Sequence, residues 1–102
     1  MAYDALTEGY QRAIQCKANR YNPDVAIRTE QIGNWIVSAK ILGGWHCVIC
    51  IYNAHTLMEH YKTTTLGPAA EEAPQDIKEF YQNAFERNFR SVVDLAKKWN
   101  GR

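Results

Sequence analysis

The glycine pair Gly43-Gly44, set between two segments of strand-like patterning, constrains this chain more than any other feature. Adjacent glycines adopt positive φ at no steric cost, which the tight two-residue β-hairpin turns demand. Before the pair, Trp35, Val37, Ala39 and Ile41 alternate with Asn34, Ser38 and Lys40, the period-two pattern of a strand. After it, Trp45 to Tyr52 is rich in β-branched and aromatic residues and predicts a second strand of the hairpin.

With Gly43 and Gly44 as the two loop residues, Ile41 opposes His46, Ala39 opposes Val48, Val37 opposes Cys50 and Trp35 opposes Tyr52. Directly opposed residues share a face. One face then carries Trp35, Val37, Ala39, Ile41, His46, Val48, Cys50 and Tyr52, and reads as a core face. The other carries Ile36, Ser38, Lys40, Leu42, Trp45, Cys47, Ile49 and Ile51. This second set is mixed along the first strand but apolar along the second. A strand apolar on both sides is central, covered twice, or part of a subunit interface.

The flanking segments complete an α+β pattern. Leu6, Tyr10, Ala13, Ile14, Ala18 and Tyr21 recur at three-and-four spacing and predict a helix over Tyr3 to Tyr21, with Asp4 as N-cap. Asn22-Pro23-Asp24 ends it. Val25, Ile27 and Thr29 then alternate with Ala26, Arg28 and Glu30 as a half-buried strand, and Gly33-Asn34 forms the following turn. Residues 54–66 carry both signals, since Thr63-Thr64-Thr65 favours a strand while Leu57, Met58 and Tyr61 would suit a short helical face. We take them as a fourth strand beginning near Thr56. Gly67-Pro68 breaks that segment, and residues 69–75 form a linker.

A long C-terminal helix follows. Its stripe runs Ile77, Phe80, Tyr81, Ala84, Phe85, Phe89, Val92, Val93, Ala96 and Trp99, broken only by Asn88. Pro74 suits the first turn, Asp76 and Glu79 the positive end of the dipole, and Lys97 and Lys98 the negative end. Glu86 with Arg90 and Asp94 with Lys98 are pairs four apart. Such a helix of about 25 residues spans almost 38 Å, longer than a small sheet needs, so its tail is expected to project or to meet a partner. The expected architecture is a single α+β domain over residues 1–102. It is an antiparallel sheet of three or four strands packed by an N-terminal and a long C-terminal helix.

Composition excludes several function classes. Twelve basic against 11 acidic residues leave a formal charge of +1, unlike a strongly basic nucleic-acid coat or an acidic tail. The longest apolar run, Cys47 to Tyr52, falls far short of the roughly 20 residues of a bilayer span, so no membrane partner is expected. Met1 to Tyr10 holds acids and no apolar stretch, which predicts no secretory signal. Three cysteines at 16, 47 and 50 are an odd, small number, expected of reduced thiols in a cytoplasmic protein.

Cys47, Cys50, His55 and His60 resemble the ligand spacing of a zinc knuckle, with His in place of its last Cys. The spacers Val48-Ile49 and Ile51-Tyr52-Asn53-Ala54 favour a strand instead of the tight turns that a knuckle needs. In a strand, positions 47 and 50 point to opposite faces and cannot share one ion. No metal or cofactor is therefore expected, and the zinc set stands as the alternative. A redox or haem role fails on local grounds: no helix pattern starts at these cysteines, and Ile51 follows Cys50 where haem attachment needs His.

No phosphate-cradling glycine motif or nucleophile elbow occurs. The two serines, Ser38 and Ser91, fall in a predicted strand and helix. Cys50 and His46 share a predicted face, yet four strand residues separate them by about 13 Å, beyond proton-transfer reach. Helix, three strands and helix resemble in outline the element order of a double-stranded-RNA-binding domain. Such domains meet phosphates with a basic start to the last helix, where this chain has Glu71, Glu72, Asp76 and Glu79. Arg87, Arg90, Lys97 and Lys98, farther along, are the alternative nucleic-acid contacts. The expected function is a small non-enzymatic regulator, adaptor or inhibitor that forms a homodimer and grips a larger protein. Trp45, Ile49 and Ile51 are its expected contact residues. A ligand pocket lined by Tyr52, Tyr81 and His46, between sheet and long helix, is a further expectation.

Overall fold

A computed structural model describes residues 20–101. The N-terminal helix predicted over residues 3–21 thus lies, but for its last two positions, outside the described residues. The chain forms β1 (Ala26–Ile32), β2 (Trp35–Gly43), β3 (His46–Asn53), β4 (Glu59–Leu66) and α1 (Gln75–Asn100). The four strands make one antiparallel meander in the order β1-β2-β3-β4, with α1 packed across one face. The fourth strand is present, and it begins at Glu59, three residues later than expected. Among the described residues, no helix is long and apolar enough to cross a membrane.

The β2–β3 register differs from the expected one by a single residue. Val37 pairs with Ile51, Ala39 with Ile49 and Ile41 with Cys47, and the two-residue loop is Gly44-Trp45 instead of Gly43-Gly44. A slip of one residue exchanges which faces meet. Trp35, Val37, Ala39 and Ile41 therefore share a face with Cys47, Ile49 and Ile51, while Ile36, Ser38 and Lys40 share the other with Val48, Cys50 and Tyr52. Turn chemistry accounts for the choice. Both hairpins place a glycine at the first loop position with φ of 58°, Gly33 before Asn34 and Gly44 before Trp45. That is the position where a type II′ turn requires positive φ. Leu42 becomes the extra residue of a bulge between Ile41 and Gly43, and Gly43 adopts φ of 149° beside it.

The slip yields one coherent apolar face. Val37, Ala39, Cys47, Ile49 and Ile51 meet Phe85, Phe89, Val92, Val93 and Ala96 of α1 in the main core. Asn88, the break in the helical stripe, donates from Nδ2 to Thr65 Oγ1 at 2.7 Å, so this polar pair is satisfied within the packed layer. The predicted pair of Glu86 with Arg90 is not the one formed. Glu86 instead takes a salt bridge from Arg28 of β1. The Arg28 guanidinium carbon also lies 4.4 Å from the Phe89 ring centre, adding a cation–π contact at the open edge of the core.

Arg28 explains a second correction. Val25 and Ile27, expected on the inner side of the first strand, are 51% and 45% exposed, and Arg28, Glu30 and Ile32 are the half-buried positions. The stem of Arg28 covers apolar surface while its charged head reaches Glu86, so a charged residue takes the inner side of an edge strand. The tail of α1 does not project either. Trp99 packs edge-on against Trp35 at 5.1 Å and Tyr61 at 6.2 Å, and the Asn34 N–H donates to Asn100 Oδ1 at 3.3 Å. The exposed apolar end of α1 is its start, where Phe80 is 60% exposed.

Phe89 is fully buried whereas Phe80 is not. Phe89→Ala is expected to lower the unfolding free energy of the monomer by about 3–5 kcal/mol, and Phe80→Ala to change that of the monomer by at most about 0.5 kcal/mol. Urea denaturation followed by tryptophan fluorescence checks both.

Candidate protein-binding surface

Six large hydrophobic side chains are exposed among the described residues: Val25, Ile27, Ile41, Leu42, Trp45 and Phe80. Strand register brings the first five to one end of the sheet, and α1 brings Phe80 there. Ala26 pairs with Lys40, so Val25 and Ile27 lie beside the close of β2, where Ile41 and the bulged Leu42 follow. Trp45 is the second residue of the adjoining β2–β3 loop. Its ring meets Tyr81 edge-on at 5.6 Å, and Tyr81 in turn meets Phe80 at 6.1 Å. The first turns of α1 therefore carry the apolar rim around the end of the sheet.

Local sequence explains why these groups remain outside. Trp45 sits in a turn whose glycine supplies the positive φ, and a turn tip has no strand neighbour to cover it. Leu42 sits in a bulge that re-aims its side chain out of the ladder. Ile27 is likewise the unpaired residue between Ala26 and Arg28, where the β1–β2 register shifts. Two bulges and a turn tip thus account for three of the six.

Of the predicted contact residues, Trp45 is 44% exposed and belongs to this rim, whereas Ile49 and Ile51 are fully buried beneath α1. The one-residue register slip is the reason, because it joins their side of β3 to the helix-covered side of β2. The signals for the missed members, Val25, Ile27, Ile41 and Leu42, were present as apolar residues next to turns. Their shared location depends on strand pairing.

Other sequence candidates are placed as follows. Arg87, Arg90, Lys97 and Lys98 are all exposed on α1, and Asp94 is exposed within the same stretch. Cys47 joins the α1-facing core, while Cys50 joins the cluster on the opposite face. His55 lies in the β3–β4 connection with Nε2 3.3 Å from Asn34 Oδ1, and the His60 ring packs against Trp35 at 5.3 Å. The structure thus does not bring the four zinc candidates together, and among the described residues no group of three or more His, Cys, Asp or Glu is arranged to hold a metal ion. The expected ligand pocket is not assembled, because Tyr52 faces away from α1. A shallow cavity of about 190 Å³ lies instead on that second face, lined by Lys40, Leu42, Val48, Glu59, Lys62 and Thr64.

Both described thiols are held away from reactive ionisation. Burial pushes Cys47 up from its ordinary 9.0. Burial, with the neighbouring Glu59 carboxylate acting in the same direction, pushes Cys50 up to about 11. The Cys50 thiol lies within a weak hydrogen bond of Glu59 Oε1, at 3.5 Å. Burial and Cys50 also raise the phenol of Tyr52. Ser38 is engaged at 3.0 Å with Thr29 Oγ1. No family model matches this chain, and the curated proteins and solved structures yield no match to it.

The Cys50 shift has a defined pH consequence. Below 9.0 the thiol is protonated in both folded and unfolded chains, and above that value the unfolded chain ionises first. Stability is therefore expected to fall as pH rises from 9.0 towards about 11, and Cys50→Ala to flatten that decline. Urea midpoints at pH 8, 9 and 10, compared between wild type and variant, check the sign.

Proposed function

We propose that this chain is a small non-enzymatic binding protein of the regulator, adaptor or inhibitor class. It associates through the apolar rim around Trp45, first with a second copy of itself and, as that dimer, with a larger protein. The observation that carries the reading is the collection of all six exposed large hydrophobic side chains of residues 20–101 at one end of the sheet. Aromatic anchors dominate binding energy at interfaces, and the rim presents Trp45 and Phe80. Exposed apolar side chains gathered at one end of a domain are a common mark of an interaction site. A two-fold axis lets one such patch meet its own copy without requiring a second complementary surface. The suppressed ionisation of both described thiols, whose burial holds them protonated, also favours a binding role over thiol catalysis.

Sedimentation velocity at micromolar concentration tests this reading. Wild type is expected to sediment as a dimer. Truncating an aromatic anchor costs about 2 kcal/mol or more of binding, so Trp45→Ala is expected to weaken association by at least roughly 30-fold. Phe80→Ala should act in the same direction, and Arg90→Ala should leave the dimer intact. A wild-type monomer overturns the reading. Nucleic-acid affinity that falls steeply with salt and is lost in Arg90→Ala or Lys97→Ala would move the function to the exposed side of α1.

A further inference from the structure

Along the central strands β2 and β3, the sheet face turned away from α1 is nearly as buried as the face beneath it. Ile36, Ser38, Val48, Cys50 and Tyr52 are 7%, 5%, 2%, 0% and 3% exposed. Among the described residues, the hydrophobic side chains packed against this cluster are Tyr21, Ala54 and Leu57. All three stand at its Tyr52 end. Ala54 and Leu57 belong to the β3–β4 connection, and the Tyr21 ring lies 5.5 Å from that of Tyr52. Cys50 and Val48 are two and four residues farther along β3 towards the hairpin loop, beyond this group. A strand rises about 3.3 Å per residue, which puts Val48 roughly 13 Å from Tyr52.

We propose that the cover of this face is the chain's own N-terminal segment, residues 3–19, laid along β3 from the Tyr52 end towards His46. Continuity of the chain is the first argument. Tyr21 is anchored on this face by its ring against Tyr52, by its hydroxyl donating to Thr29 Oγ1 at 3.3 Å, and by its backbone N–H donating to the Leu57 carbonyl at 2.8 Å. Whatever precedes Tyr21 therefore starts from the covered cluster. Length is the second argument. As a helix, 17 residues span about 26 Å, and β3 from Tyr52 back to His46 runs about 20 Å.

Patterning is the third argument. At helical spacing Leu6, Tyr10, Ala13, Ile14 and Ala18 form one stripe, interrupted by Lys17, and Asp4, Glu8, Gln11, Arg12 and Gln15 take the opposite side. An apolar stripe of this length meets an apolar face of the same length, and both remove surface from water. The rim adjoins this face at Leu42, beside Val48, but its aromatic anchors Trp45 and Phe80 meet Tyr81 of α1, so their variants and those of Ile14 test the two proposals separately.

Cys47 and Cys50, on opposite faces of β3, provide an internal pair of reporters. Two full-length chains are compared: Cys16→Ser with Cys47→Ser, leaving Cys50, and Cys16→Ser with Cys50→Ser, leaving Cys47. Each is labelled with 5,5′-dithiobis(2-nitrobenzoate) at pH 8, with and without Ile14→Asp. Local opening of one layer exposes only the groups it protects. Ile14→Asp is expected to speed Cys50 labelling by about ten-fold or more and to leave Cys47 within about two-fold. Where Ile14→Asp unfolds the chain and frees both thiols, Ile14→Ala replaces it and must speed Cys50 alone. Equal acceleration of the two thiols by Ile14→Ala, or an unchanged Cys50 rate in both variants, overturns the proposal. So does a Cys50 rate that rises on dilution of the chain without the Ile14 substitution, because that assigns the cover to a second copy.

Discussion

Double-sided burial of β3 is the constraint on which the rest of this structure depends. From Cys47 to Tyr52 every side chain is nearly or wholly removed from water, alternately on the α1 side and on the opposite side. A strand in that position must be flanked by strands and covered by layers, because its backbone groups need ladder partners and its side chains need apolar neighbours. Here β2 and β4 supply the ladder and α1 supplies one layer. The long helix follows from the same requirement, since its stripe from Phe85 to Trp99 matches the helix-facing row of the sheet.

Several polar details make sense only against that central strand. Asn88 interrupts the helical stripe where Thr65 of β4 offers a hydroxyl beside the core. Arg28 takes an inner position on β1 because Glu86 neutralises its head and the Phe89 ring faces its guanidinium. Gly67 follows β4 where an added Cβ would come within 2.3 Å of the Cys47 sulfur, so the chain can pass over the strand only without a side chain. Each pairs a polar or minimal residue with a specific gap at the edge of the core.

The two ends of the sheet contrast. At one end Trp35, His60, Tyr61 and Trp99 pack on one another, and Asn34 and Asn100 join the β1–β2 turn to the close of α1. At the other end the apolar groups face outward around Trp45. One end closes the fold, and the other presents the surface on which the proposed association rests. The bulges at Ile27 and Leu42 are local departures from the ladder that create this difference.

The antiparallel hairpins, the doubly apolar third strand and the C-terminal helix were legible because period, turn glycines and capping residues are local signals. The opposite orientation of Cys47 and Cys50 followed from strand periodicity alone. The pairing register was not legible, because two adjacent glycines offer two loops one residue apart. Only the match of Val37 and Ala39 with Ile49 and Ile51 beneath α1 selects between them. The inner side of β1 was equally ambiguous, since Arg28 becomes an inward residue only through Glu86 and Phe89, which lie far along the chain. The amino-acid sequence by itself determined which segments become strands and helix, because those preferences arise within a few residues. Tertiary structure alone decided which side of each strand meets α1 and that six apolar side chains gather around Trp45, because these depend on contacts between distant segments.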